Sequence, residues 1–373
     1  MEQPLKVSTV KVNIRMKTVK DFAVQHAIYF VFIILIIFIH CYSYFGRGGA
    51  TFLSVGNLIN ILNMSATRII IAMGMGGILI TAGVDLSAGR QVGLAAVVSA
   101  SMLQALTYSR RMYPDLPVLP LVVPIILAML ACGLFGFLNG WITARLKIPA
   151  FIATLGSMVA VYGACSLYFD RPPYGAQPIG GLDPRFSTLG SNSFRILEGH
   201  GLVIGPNPAD FSGEIHRFPI NYIVIIAVIV TVLIYILYNK TTYGKNIYAI
   251  GGNPDAARVS GVNVERTLII VYTLAAVLYG LGGTLEAART GGATNNYGNG
   301  YELVAIAACV VGGVSNMGGI GTVPGIVIGV LLFSVINYGL TFINMSPYWQ
   351  QIVKGAIIIV AVALDIRKYL KKR

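Results

Sequence analysis

This sequence is short of charge, and shortest of negative charge. Of its 373 residues 11% are charged against 55% hydrophobic, and Asp and Glu together number 14. Soluble domains carry roughly 25% charged residues, so a chain with a mean hydropathy of +0.74 falls outside that class and reads as an integral membrane protein. Cysteine is sparse too. Cys41, Cys132, Cys165 and Cys309 stand singly in apolar stretches, without the paired spacing of a metal site, and read as small core residues. His26, His40, His200 and His216 form no H-E-x-x-H pattern, and there is no G-x-S-x-G elbow, so neither a metallopeptidase helix nor a serine-hydrolase turn is present. Gly244-Lys245 lacks the preceding glycine spacing and the following Ser/Thr of a phosphate loop. The chain reads as a non-enzyme that binds no cofactor of its own, and any ATP it depends on is hydrolysed by another chain.

What the sequence has is apolar length and basic residues placed beside it. The net charge of +13 raises the question of nucleic acid, and the location of the charge answers it. Lys6, Lys11, Arg15, Lys17 and Lys20 precede the first apolar segment, Arg145 and Lys147 follow another, and Arg367, Lys368, Lys371, Lys372 and Arg373 close the chain. That is the positive-inside pattern of a membrane protein, with no nucleic-acid motif beside it. A span needs about 20 mainly apolar residues, which predicts an all-α, polytopic protein of about ten spans: 24–45, 62–83, 87–107, 118–141, 149–169, 219–238, 267–287, 301–315, 319–342 and 348–366. The first is too long for a signal-peptide core and is expected to remain. With a cytoplasmic N-terminus (1–21), alternation puts Arg145-Lys147, the 239–266 loop and the basic C-terminus on one side. The opposite loops, including a large one at 170–218 broken by Pro172, Pro173, Pro178, Pro184, Pro206 and Pro208, contain no Lys. The whole of 1–373 is expected to be one membrane domain.

Small residues four apart (Gly89 and Gly93, Gly136 and Gly140, then Gly321, Gly325 and Gly329) place one bare face on a helix, where backbones can approach closely. Two glycine-rich turns, 83–89 and 312–319, echo each other in the manner of an internal repeat.

The polar stretch 239–266 carries helix signals between two strongly apolar segments. Asn253 suits an N-cap, Pro254 the first helical position and Asp255 the first turn, while Gly261 suits the left-handed residue that ends a helix. Gly251-Gly252 allows a sharp turn ahead of it. The stretch is expected to present a short helical knob over Asp255, Ala256, Ala257, Arg258, Val259 and Ser260.

Polar groups at membrane depth face a cavity or a partner. Arg68, Asp85, Arg90, Glu286, Arg289, Glu302 and Lys354 sit mostly near predicted span ends, where snorkelling or local pairing also accounts for them; Glu286 and Arg289 are spaced to pair with each other. Asn139, Asn295, Asn296, Asn337 and Gln351 suit the passage of a polyhydroxyl solute, or equally the joining of helices. Asp85, Ser87, Asn139, Asn295, Asn296 and Glu302 are the candidate path residues.

Gly244-Lys245-Asn246-Ile247-Tyr248-Ala249-Ile250-Gly251-Gly252-Asn253-Pro254-Asp255-Ala256-Ala257 with Ser260-Gly261-Val262-Asn263 resembles the cytoplasmic coupling loop of ABC importer permeases of the ribose/galactose type, a branched-chain-permease-like family. The resemblance extends from about residue 50 to the C-terminus, through 81–96, 151–156, Ala293-Thr294-Asn295-Asn296, Tyr301-Glu302-Leu303 with 305–313, and 347–359, and is strongest to galactose/methyl-galactoside permeases. It implies the ABC importer permease fold in a cell inner membrane, with both termini cytoplasmic. It further implies two copies around a translocation path, an ABC ATPase that uses ATP and Mg and docks on Gly244, Lys245, Gly251, Gly252, Asn253, Pro254, Asp255, Ala256, Ala257, Arg258 and Gly261, and a periplasmic sugar-binding protein. The implied role is import of galactose, methyl galactoside or glucose; a pentose or nucleoside cargo, or an ion-coupled secondary transporter using Asp85 and Glu302, are the alternatives. One departure stands out: after Tyr301-Glu302-Leu303 the family pattern suggests Asp, and this chain has Val304.

Overall fold

The computed structural model describes residues 27–46, 51–172, 175–191, 193–197, 201–205 and 220–370. The N-terminal segment 1–21, the last three residues and parts of the 170–218 stretch lie outside the described residues. Helices dominate: α1 (Ala27–Gly46), α2 (Val55–Ile80), α3 (Ala88–Met102), α4 (Val122–Arg145), α5 (Ala150–Phe169), α6 (Pro184–Ser191), α7 (Tyr222–Lys240), α8 (Thr242–Gly252), α9 (Pro254–Val259), α10 (Val264–Thr290), α11 (Tyr301–Val311), α12 (Val323–Phe342) and α13 (Pro347–Leu370).

Each of the ten expected spans coincides with a helix, but they are not equivalent. Among the described residues six helices, α2, α4, α5, α7, α10 and α12, are long and apolar enough to cross a membrane. The expected span 301–315 is an 11-residue helix, about 16 Å at 1.5 Å per residue, too short to cross alone. Its missing length is supplied by non-helical chain. After α10 ends at the left-handed Gly291, Ala293 pairs with Ile179. The backbone then runs down beside α3, where Tyr297 O would meet a Cβ on Gly93 and Gly298 O one on Gly89. It becomes helical again at Tyr301. Irregular backbone at this depth is tolerated because protein rather than lipid surrounds it.

The stretch expected as a polar loop, 170–218, contains α6 and, with the residues that follow it, a small antiparallel sheet of β1 (Ser193–Leu197), β2 (Gly201–Gly205) and β3 (Ile220–Asn221) in the order β2-β1-β3.

Helix α10 is the axis of the bundle, with Tyr272 and Tyr279 fully buried. Since lipid is as apolar as a leucine side chain, close contact rather than hydrophobic exclusion must hold such helices together. The four-residue glycine spacing provides it. A Cβ on Gly136 would strike Ala276 and the Tyr272 carbonyl, and one on Gly140 would lie 2.7 Å from Ile269 Cα, so α4 and α10 touch backbone to backbone. Gly325 and Gly329 do the same for α12 against Gly312 and Ala308. On the outside of the bundle Leu130, Leu134, Phe151, Ile152, Leu167, Ile229 and Leu233 are exposed, as lipid-facing positions should be.

Candidate functional site

The predicted knob exists and is built by local hydrogen bonds. Thr241 caps α8, its Oγ1 accepting from Gly244 N at 3.2 Å. Asn253 serves two helices: its N–H donates to Ala249 O at the end of α8, and its Oδ1 accepts from Asp255 N and Ala256 N, both at 3.0 Å, at the start of α9. Gly261, at φ 86°, closes α9, with its N–H on Arg258 O and that of Val262 on Ala257 O. Asp255 and Arg258 pair across one turn at 3.2 Å. Ile250, Ala257 and Val264 form a small core beneath, while Pro254, Asp255, Ala256, Arg258 and Val259 are exposed. Val259, 90% exposed, is an apolar side chain offered outward.

The sequence places the sharp turn at Gly251-Gly252, whereas the structure places both glycines inside α8 and the turn at Asn253. Gly251 is glycine for another reason. Its Cα lies against Ile80 O and Gly319 N, with no room for a Cβ, whereas a Cβ on Gly252 would meet nothing within 4 Å. Gly319 N itself donates to Ile80 O at 2.8 Å, and Tyr248 donates to Gly321 O at 2.9 Å. The 312–319 turn therefore meets the end of α2, just ahead of the 83–89 turn, and α8 sits on both. Arg145 and Glu265, paired at 3.0 Å, join the ends of α4 and α10 on this same side. Lys245 is exposed and Gly244 is packed on Tyr238 O.

Asp85, Ser87 and Asn139 come together, but in a buried knot. Ser87 Oγ donates to Asp85 Oδ1 at 2.6 Å and accepts from Gln91 Nε2 at 2.8 Å and Asn139 Nδ2 at 3.1 Å. This pins the turn between α2 and α3. Asn295 and Asn296 belong to the descending segment, where Asn295 Nδ2 donates to Ser166 Oγ at 3.1 Å and Asn296 Oδ1 accepts from Arg90 Nη1 at 3.0 Å. Of the six candidate path residues, Glu302 lines the cavity described next.

That cavity, of about 440 Å³, lies among α2, α11, α12 and α13, and its polar lining is Arg68, Asn299, Tyr301, Glu302, Asn337, Gln351 and Lys354. Apolar Val304, Ile71, Val330 and Phe333 complete its wall. Above it lies a buried ion pair: Arg289 Nε and Nη2 contact Glu286 Oε2 and Oε1 at 2.9 and 2.8 Å. The same carboxylate accepts from Thr67 Oγ1 at 2.7 Å and Tyr301 Oη at 3.1 Å. One carboxylate thus fastens α2, α10 and the start of α11, with the Arg68 guanidinium 5.9 Å from the Tyr301 ring centre.

From sequence Arg68 reads as a charge at the beginning of the second span and Lys354 as one within the last. The structure starts α2 at Val55, which puts Arg68 halfway along a 26-residue helix, and a charge at that depth is what should direct attention to it. Asn299 and Tyr301 carried no such signal.

A bundle of apolar helices closed by backbone contact, containing one broken helix that walls a polar cavity, is the build of a transport permease. The chain belongs to the family described as the permease component of the branched-chain amino acid transport system, whose model matches residues 57–362. It is 49% identical to the galactose/methyl galactoside import permease protein of Haemophilus influenzae, over 95% of this chain and 97% of that one. It is 51% identical to the protein of the same description in Escherichia coli K12, over 87% and 90%, and 36% identical to a ribose import permease protein of Haemophilus influenzae, over 84% and 86%. No solved structure matches it.

Proposed function

We propose that this chain is the membrane subunit of an ATP-driven, binding-protein-dependent importer of galactose or methyl galactoside. Two copies form the translocation path, a separate ABC ATPase, using ATP and Mg, docks on each α8–α9 knob, and a periplasmic binding protein delivers the sugar. The termini and the knob face the cytoplasm across the inner membrane. The placement of Arg145, Lys147 and the 239–266 stretch on one side, with Lys-free loops opposite, supports that orientation.

The observation that carries the coupling is the seat of Gly251 on Ile80 O and Gly319 N. A displacement of α8 cannot be absorbed there, since no side chain intervenes. It passes to the turn leading into α3 and to the turn between α11 and α12. Both turns connect directly to helices that touch the descending segment or the cavity. Nucleotide-driven movement of the knob thereby biases a two-state change in the path. The cargo assignment rests on the extended similarity to galactose/methyl galactoside permeases and on the amide-rich cavity, which suits a hydroxylated solute.

Uptake of labelled galactose into proteoliposomes holding this chain, its ATPase and its binding protein tests the reading. Uptake should require all three proteins and ATP. Uptake by this chain alone under a proton or sodium gradient would replace the importer with a secondary transporter.

A further inference from the structure

We propose that the cavity beside α11 takes a sugar carrying a carboxylate, a hydroxylated anion, in preference to a neutral sugar. The proposal deepens the importer reading and rests on the cavity being part of the path.

The charge in the cavity is unbalanced. Arg68 and Lys354 both line it, and neither makes an ion pair with a described residue. Arg68 Nη1 is buried without a hydrogen-bond acceptor. An unmet guanidinium donor in a low-dielectric wall is costly, more so than a neutral one. The nearby carboxylates do not balance the two cations. Glu286 is held in two contacts by Arg289 and receives Thr67 and Tyr301 besides. The Glu302 carboxylate, which shares the wall, is pressed against Gly89 in the first turn of α3 with its Oε2 buried and without a donor, so it offsets one of the two cations and leaves the wall with a net positive charge. Val304, on the same wall, supplies no counter-charge.

A further feature concerns the hydroxyls. The helix α11 begins at Tyr301 after the left-handed Gly300, and both residues, with Asn299, line the cavity. Asn337, 6% exposed, has its Oδ1 buried with no donor, and that atom asks for a hydroxyl. Arg68 and Lys354 would hold the carboxylate, and Asn299, Asn337 and Gln351 the hydroxyls. A neutral hexose would satisfy the amides and leave the net positive charge of Arg68 and Lys354 over Glu302 uncompensated. The volume suits a small ligand of this kind.

The test is equilibrium binding of labelled galacturonate and galactose to the permease–ATPase complex in nanodiscs of phosphatidylcholine at low salt. Galacturonate should bind roughly tenfold tighter or more, about 1.4 kcal/mol. The ratio should fall towards one in Val304→Asp, which places a carboxylate on the wall, and in Lys354→Gln, each checked for assembly by gel filtration. Equal binding of the two sugars, binding of neither, or a preference that survives both substitutions overturns the proposal. Nanodiscs containing phosphatidylglycerol separate the other source of an anion: if the lipid abolishes galacturonate binding and co-purifies with the complex, the cavity is a headgroup site and the sugar-acid assignment fails. Galactose uptake with ATP and binding protein is run in parallel. Its presence with no acid preference sinks this inference alone, and its absence sinks the importer reading.

Discussion

Gly251 rests directly on the carbonyl oxygen of Ile80, too close for any side chain to lie between them. Gly251→Ala should therefore push α8 off the two turns beneath it, at a cost of about 1–3 kcal/mol for overpacking, and uncouple ATP hydrolysis from uptake. Gly252→Ala, one residue along, meets open space and should leave uptake within twofold of wild type, consistent with helix propensities favouring Ala by up to about 1 kcal/mol. Parallel ATPase and uptake assays read the contrast. Equal damage from both substitutions would show that the contact does not transmit the stroke.

Asn253 accepts two backbone N–H groups of α9, on a helix of 6 residues too short to persist unaided. Asn253→Ala should cost about 1 kcal/mol, felt as faster hydrogen exchange across 254–259 and weaker ATPase association, with the melting of the membrane helices unchanged. Asn253→Asp should restore both.

Glu286→Ala leaves the half-buried Arg289, in the last turn of α10, without its partner, and Thr67 and Tyr301 without an acceptor. Breaking a buried pair in this way costs about 3–5 kcal/mol. The double substitution with Arg289→Ala should recover part of that loss, and detergent melting curves of the four proteins of the cycle measure the coupling. Strict additivity would mean the ion pair contributes nothing.

Asp183, in the segment between α5 and α6, is held below the ordinary carboxylate value of 3.8 by its hydrogen bonds to Arg185. A depressed folded-state value adds stability that is fully present above 3.8 and lost as pH falls through the lower value. Wild type and Asp183→Asn should thus differ in melting temperature at pH 6, and the difference should shrink as the pH is taken below 4. A difference that grows on acidification would contradict the sign.

Much of the helical, apolar architecture and the knob was legible because both follow from short-range physics. Apolar length fixes which segments suit a bilayer, and caps such as Asn253 and Gly261 act within one helical turn. Glu286 and Arg289 pair as their spacing on one helix suggests. The short α11 was read as a longer span because apolar content does not mark where the helix gives way to the glycine turn at Gly312.

The candidate site was less legible. Asp85, Ser87 and Asn139 were marked as candidate path residues, yet whether such a group lines a cavity or closes a hydrogen-bonded knot depends on what stands opposite. The sequence by itself determined an all-helical membrane chain, the helical knob and the close-packing glycine faces, since each is encoded within a few residues or one helical repeat. Only the tertiary structure decided that Arg68, Asn299, Asn337 and Lys354 share one cavity, and that Gly251 serves packing rather than turning. Those facts are set by backbone contacts between segments hundreds of residues apart, which no local pattern records.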